Sequence, residues 1–548
     1  MMKSVHVIFA AALLAANTAL AAVFPTDVKL EQGIAAGAAD AAHNTVRWLG
    51  LPYGQAERWG LPQPPAKSSA TLDCTVPAPA NLQYAGGRVT GEENVLTLDI
   101  YRPDTGEENL PVLVFYHGGN NQTSSSRMWM GDKFAAAANA VFVSVQYRLG
   151  VLGFNNLDAL HNGNKKNDSG NYGFLDQAQS LDWLHKNIRA FGGNPDNITV
   201  SGFSAGGRDV MAMLISPAFK GKFDKAISFS GGLTVAGYDR SRKIIAENLA
   251  PLAVEDGVKS NAKEAAGWLL DGDKKETAAY LRGIDGGRLA PVMAGALIRM
   301  DSFPHLYGDG AVLPEEGFAV RKYGSVPLLL LASTDEFSSF AARDPYFKNR
   351  LQDIFTDERT RSQFAFANKY GSRFYCYFNG QQTAEAIYGN YKDDIYVCRF
   401  NYAHDPAVAG EKYALRNGAF HGVFLPFLTD QPLPYTRGTD IFSTPGVEEL
   451  SDIFIASIAS FMRTGSPNNG SLPFVWEKWT PENRAEAVFD ADREKALVSL
   501  RHDGTSYGAV MEEMEADTSL PAEDKDYIIR NVLNGRWFSG GIDEKYRK

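Results

Sequence analysis

Three cysteines in 548 residues, Cys74, Cys376 and Cys398, are too few for a disulfide framework and lack the spacing of a zinc site. Cys376 and Cys398 are close enough in sequence for one bridge, which would contribute roughly 3 kcal/mol by constraining the unfolded chain. Two small buried apolar side chains are the equal alternative. Basic charge is not in excess: 54 Lys and Arg against 64 Asp and Glu give a net charge of -10, which argues against a nucleic-acid partner. Repeats and low-complexity linkers are missing. So is any apolar run of about 20 residues, the length a membrane helix needs. The one long apolar stretch is N-terminal, with Lys3, then Val7 to Ala16, then Ala19-Leu20-Ala21. It is too short to span a bilayer, and its order of charge, apolar run and small residues fits a cleaved secretory signal over residues 1–21. The alternative is a buried N-terminal helix. A secreted or periplasmic protein, free of the membrane after cleavage, is expected.

What is present suits a large core: 44% of residues are hydrophobic and 22% charged. With no linker to divide it, residues 22–548 are expected to form a single domain. Runs rich in β-branched or aliphatic residues read as buried strands: Val112 to Tyr116, Val141 to Tyr147, Ile198 to Ser201, Ala226 to Phe229, Val326 to Ala332 and Ile395 to Tyr402. Between the second and third, Leu175, Ala178, Leu181, Leu184, Ile188 and Phe191 recur by threes and fours, the pattern of a one-sided helix. Gly192-Gly193 ends it, and Asn194-Pro195-Asp196-Asn197 is expected to turn into the next strand. Strands alternating with helices predict an α/β fold with a large, mostly parallel central sheet, whose ligands sit at the carboxyl ends of strands.

Gly202-Phe203-Ser204-Ala205-Gly206 follows the Ile198 strand directly, and a helix is expected over Arg208 to Ile215. In that context G-x-S-x-G marks a sharp turn holding a serine hydroxyl above the sheet, at a helix N-terminus that favours anions. A serine needs a base, and the base needs a carboxylate to fix its tautomer. On such a sheet the chain order is Ser, acid, His. His421, in the small-residue loop Gly418-Ala419-Phe420-His421-Gly422, is preferred over His404, which directly follows the Ile395 strand as a loop end, and His502, in a polar tail region. The run Val326 to Ala332 leads into Ser333-Thr334-Asp335-Glu336, and on this pattern either carboxylate serves as the acid. The N–H of Ala205 and those of a loop in His117-Gly118-Gly119-Asn120 are the expected donors to an oxyanion.

These residues resemble the type-B carboxylesterase and cholinesterase family of α/β-hydrolases. The likeness runs from about Val28 to Trp479 and includes Glu93-Asn94-Val95-Leu96, Gly173-Phe174-Leu175-Asp176-Gln177, Phe191-Gly192-Gly193-Asn194-Pro195, Gly308-Asp309-Gly310 and Gly465-Ser466-Pro467-Asn468. The chain beyond about residue 500 is less family-like. The resemblance implies the α/β-hydrolase fold with family insertions. It also implies a Ser204, Glu336, His421 triad, oxyanion donors at Gly119, Asn120 and Ala205, and Ser230 supporting the acid.

The departures are specific. Asn120 replaces a usual third glycine; Phe203 replaces a usual Glu before the nucleophile; Val95 replaces a usual disulfide cysteine, leaving Cys74 without its partner. The segment Cys74 to Val95 holds Tyr84 but no Trp, so a choline ester is disfavoured. Phe203, Phe337 and Phe420 flank the triad positions and are candidates to line an apolar pocket; the equal alternative is that such aromatics belong to the core.

The expected function is an exported serine carboxylesterase acting on small-molecule esters through an acyl-enzyme, with no cofactor or metal. The alternatives are a catalytically silent binding or adhesion protein of the same fold, and an amidase or peptidase with the same triad.

Overall fold

A computed structural model describes residues 23–546; the expected signal segment lies outside the described residues. Eleven strands form one sheet, here numbered in chain order: β1 (Ala38–Asp40), β2 (Thr45–Pro52), β3 (Thr97–Pro103), β4 (Leu110–Tyr116), β5 (Val141–Val145), β6 (Gly193–Phe203), β7 (Lys225–Phe229), β8 (Leu328–Ser333), β9 (Ile395–Phe400), β10 (Ala485–Ala491) and β11 (Ala496–His502). Their order across the sheet is β11-β10-β9-β8-β7-β6-β4-β5-β3-β2-β1. Neighbours from β10 to β5 run parallel, and the remaining pairs at both edges are antiparallel.

All seven residues of β4 are buried, and successive side chains enter different cores. Val112, Val114 and Tyr116 pack on one face, Leu113 and Phe115 on the other. Leu328 and Leu330 of β8 separate from Leu329 and Leu331 in the same way. A strand covered on both faces has no polar side to display, which is why these strands are continuous apolar runs.

The helix expected from the Leu175 periodicity is α1 (Tyr172–Asn187), extended by a 3-10 turn over Ile188–Phe191 and stopped by Gly192 at φ 76°. Residues 194–197 turn as expected, with the Asp196 N–H donating to Asn194 Oδ1 at 2.9 Å, but the turn lies inside β6 rather than before it, between Gly193 and Ile198, both of which pair with β4. A bulge accommodates Pro195 and the polar Asn and Asp side chains without ending the ladder.

From β4 the chain moves outward to β5 and then returns to place β6 on β4's other side. This reversal makes the carboxyl ends of β4 and β6 a topological switch point, where a crevice opens. Both ends carry chemistry: Tyr116 of β4 pairs with Gly202 of β6, so the loop from His117 and the turn at Ser204 start side by side.

Behind this crevice lies a third core. Helix α2 (Ala205–Met213) leaves the Ser204 turn, α3 (Ser338–Ala341) follows β8, and α4 (Glu358–Asn379) runs alongside. The C-terminal helices α5 (Tyr507–Ala516), α6 (Ala522–Ile528) and α7 (Gly540–Tyr546) close it, with Val510, Met514, Ile528, Trp537 and Phe538 packed among Phe337, Phe340, Phe374 and Tyr375.

Candidate active site

Ser204 stands between β6 and α2 at φ 58° and ψ -117°, a conformation strained for any residue with a side chain. Its N–H is tied to the Phe229 carbonyl at 2.8 Å. The flanking glycines explain the motif's spacing. A Cβ on Gly202 would lie 2.2 Å from the Gly206 carbonyl oxygen, and one on Gly206 would lie 2.1 Å from that of Tyr116. Helix α2 therefore sits directly against β4 and β6, with no room for a methyl group between them.

The other residues arrive from strand ends. Ser230 follows β7, and Glu336 lies three residues beyond β8. Glu336 is fully buried, and its Oε1 accepts from Ser230 Oγ at 2.5 Å and from the Ser333 N–H at 2.8 Å. Its Oε2 pairs with Nδ1 of His421. The opposite ring nitrogen, Nε2, is buried without a partner among the described residues. Three rings hold the imidazole in place. Phe203 lies 4.6 Å away, Phe340 meets it edge-on at 5.1 Å, and Tyr375 stacks at 5.6 Å.

The two carboxylates after β8 separate cleanly. Asp335 forms a bridge with the histidine loop: its N–H donates to the Ala419 carbonyl at 2.9 Å, and its Oδ2 accepts from the Ala419 N–H at 2.8 Å. Oδ2 also meets Nδ1 of His404 at 2.8 Å, and this contact raises the pKa of His404. A Cβ on Gly418, at φ 53°, would fall 2.3 Å from Asp335 Oδ2. Asp335 thus anchors the loop whose next turn carries His421. His117 is no rival base: it does not line the cavity that Ser204 opens on, its Nδ1 meets the Gly118 carbonyl at 2.9 Å, and burial pushes its pKa down to about 4.

Facing Ser204 is the loop after β4, with Gly119 at φ 97° and Asn120 at φ 60°. Asn reaches this left-handed region more readily than other side chains, so the backbone follows a course usual for glycine. Asn120 Nδ2 donates to Gln122 Oε1 at 2.8 Å. The N–H groups of Gly119, Asn120 and Ala205 have no acceptor among the described residues.

Ser204, His421, Gly119 and Asn120 open on one cavity of about 720 Å³. Phe203 and Phe420 line it, as expected from sequence, whereas Phe337 does not. Phe337 is fully buried in the third core, 5.5 Å from Phe538 and against Gly371. The chain turns after Glu336, so adjacent side chains diverge. Sequence reading missed Phe340, Arg343, Leu297 and Ile298 in the wall, and Tyr375 behind His421. Leu297 and Ile298 adopt φ 48° and 57°, and their carbonyls accept from Arg536 Nη1 at 2.6 Å and from the Trp537 N–H at 3.1 Å. The C-terminal segment therefore holds a strained wall of the cavity, and no local pattern in either segment signals that contact.

Asp40, His43 and Asp132 are close enough to share a cation, but Arg47 already reaches Asp40 at 3.1 Å and Asp132 at 3.7 Å, and none of the three lines the cavity. The cysteines are free and buried, so neither Cys376 nor Cys398 is bridged.

Residues 25–373 match the model of the carboxylesterase family. The chain is 28% identical to para-nitrobenzyl esterase of Bacillus subtilis (strain 168) over 487 residues, covering 81% of this chain and 91% of that one. It is 38% identical to pyrethroid hydrolase Ces2a of Mus musculus over 496 residues, covering 82% and 84%. A solved carboxylesterase of Geobacillus stearothermophilus superposes with a TM-score of 0.67 at 25% identity, over 89% of this chain and 99% of the other. A strained serine at the switch point of an α/β sheet and relatives that match across most of the chain lead to one assignment: this protein belongs to the carboxylesterase family of α/β-hydrolases and is a serine hydrolase of carboxylic esters.

Proposed function

We propose that Ser204, His421 and Glu336 carry out this hydrolysis as a triad, in a protein exported from the cytoplasm. The observation that carries the reading is the convergence on one cavity of a strained Ser204 and a His421 whose Nδ1 is engaged by buried Glu336 while Nε2 has no partner among the described residues. His421 Nε2 takes the Oγ proton as Ser204 attacks the ester carbonyl carbon. The N–H groups of Gly119, Asn120 and Ala205 donate to the resulting oxyanion. The C–O bond to the alcohol then breaks, and His421 returns the proton to the leaving oxygen. Water, deprotonated by the same nitrogen, releases the acid and restores Ser204. Glu336 fixes the tautomer and stabilises the imidazolium, and Ser230 and the Ser333 N–H hold Glu336. Export is supported by Lys3, the apolar run Val7 to Ala16 and Ala19-Leu20-Ala21.

The test is hydrolysis of short acyl and aryl esters, with fluorophosphonate labelling of the serine. Ser204→Ala should abolish labelling and lower kcat by ~10³-fold or more, His421→Ala should match that loss, and the effects should not add. Glu336→Gln should also be severely impaired, whereas Asp335→Asn should retain much more activity. A nearly normal Glu336→Gln beside an inactive Asp335→Asn would reassign the acid.

A further inference from the structure

Apart from His421 and the phenols of Tyr84 and Tyr435, Arg343 is the one ionisable side chain among the described residues that line the cavity. Among the described residues that line it there is no carboxylate, and Arg343 is the one permanent cation. Arg343 is exposed at the mouth, yet it is positioned. Its Nε donates to the Ser339 carbonyl at 2.8 Å, and its guanidinium lies 5.2 Å from the centre of the Phe340 ring. That ring meets His421 at 5.1 Å, so the charge stands one aromatic ring outward from the base.

Both Nη groups lack a protein acceptor among the described residues. The adjacent carboxylate cannot serve them: Asp344 is engaged by Arg536 at 2.5 Å and by Arg299 at 3.4 Å. Three guanidiniums thus share the neighbourhood of one carboxylate. Arg536, pushed down to about 9 by burial and then by Arg299, registers this imbalance, and Arg343 adds to it. A guanidinium with two free Nη donors is suited to a carboxylate, which it binds through two parallel hydrogen bonds.

We propose that Arg343 makes this cavity selective for esters that carry a carboxylate on the part of the substrate directed outward along Phe340. The proposal rests on the esterase reading of the site and names a substrate class for it. The carboxylate can belong to the acyl part, as in a monoester of a dicarboxylic acid, or to the alcohol part, as in an acetylated hydroxy acid. Because Arg343 is exposed, the expected preference is moderate and screened by salt.

Two substrate series test this, one with the carboxylate on the acyl side and one with it on the alcohol side, each against its neutral carboxamide isostere. The readout is the ratio of kcat/KM for carboxylate over carboxamide. In at least one series Arg343→Gln should lower that ratio about two- to tenfold, with the difference shrinking as ionic strength rises. The series that responds identifies which side of the ester faces Arg343. Lys348→Gln, the same charge change at an exposed position that does not line the cavity, should leave the ratio unchanged. An unchanged ratio in Arg343→Gln in both series, or an equal fall in Lys348→Gln, would overturn the proposal. Hydrolysis of neutral esters that is lost in Ser204→Ala would still stand in that event; if it survives in Ser204→Ala, the underlying reading fails instead, whatever Arg343 does.

Discussion

Asn120 is where this chain departs from a glycine-rich loop yet keeps its course. At φ 60° it sits where glycine is easiest, its Nδ2 donates to Gln122, and its Oδ1 is buried without a partner among the described residues. What the proposed oxyanion hole needs from it is a backbone N–H. Asn120→Gly should therefore retain most activity, since glycine reaches the same φ and the loss is one side-chain hydrogen bond, about 1 kcal/mol. Asn120→Pro removes the donor and fixes φ near -65°, so kcat should fall by roughly 10²-fold or more. Equal and mild effects of both changes in steady-state assays would show that this N–H does not serve the oxyanion. The tolerance for Asn was legible in the sequence, because it follows from the residue's own conformational range. The fate of Phe337 was not, because it depends on how the chain turns after Glu336.

Two carboxylates follow strand β8, and each acquires a histidine from a different element. Glu336, fully buried, meets His421 behind the cavity wall; Asp335 meets His404, just beyond β9, and ties down the histidine loop. The Asp335 contact raises the folded-state pKa of His404 above its unfolded value of ~6.5. Its stabilisation is then fully present below about pH 6.5 and is lost as pH rises through the raised folded value. The His404 side chain is 52% exposed, so the contribution is small, below about 1 kcal/mol. His404→Gln should lower Tm near pH 5.5 and leave it unchanged near pH 9. An equal loss of Tm at both pH values would show that the ion pair contributes nothing and that only packing was removed. The sequence placed both carboxylates at the sheet's carboxyl edge; pairing each with its histidine required the register of Asp335 against Phe420.

Across the whole molecule the cysteines are dispersed rather than paired. Burial pushes the Cys74 and Cys376 thiols up to about 12 and the Cys398 thiol well above its ordinary value. Thiolate is the reactive form, so none should react appreciably with a maleimide at pH 8 in the folded protein, and all three should react once it is unfolded in denaturant. Only one reactive thiol after unfolding without reductant would mean that two of them are bridged.

The sequence alone determined the parts whose physics is local. Continuous apolar runs such as Val112 to Tyr116 became strands buried on both faces, and the Leu175 periodicity became α1. Gly202 and Gly206 marked a turn that no larger residue fits. Tertiary structure decided whatever depends on residues far apart in the chain. Pro195 became part of a bulge because β4 offered a ladder on both sides of it. The cavity wall at Leu297 and Ile298 is held by Arg536 and Trp537, more than 200 positions away. Arg343 keeps its Nη groups free of a protein acceptor among the described residues while the carboxylate beside it is engaged by two other guanidiniums. None of these is encoded in a spacing or a period, because each arises from groups that meet only when the sheet and its three cores have formed.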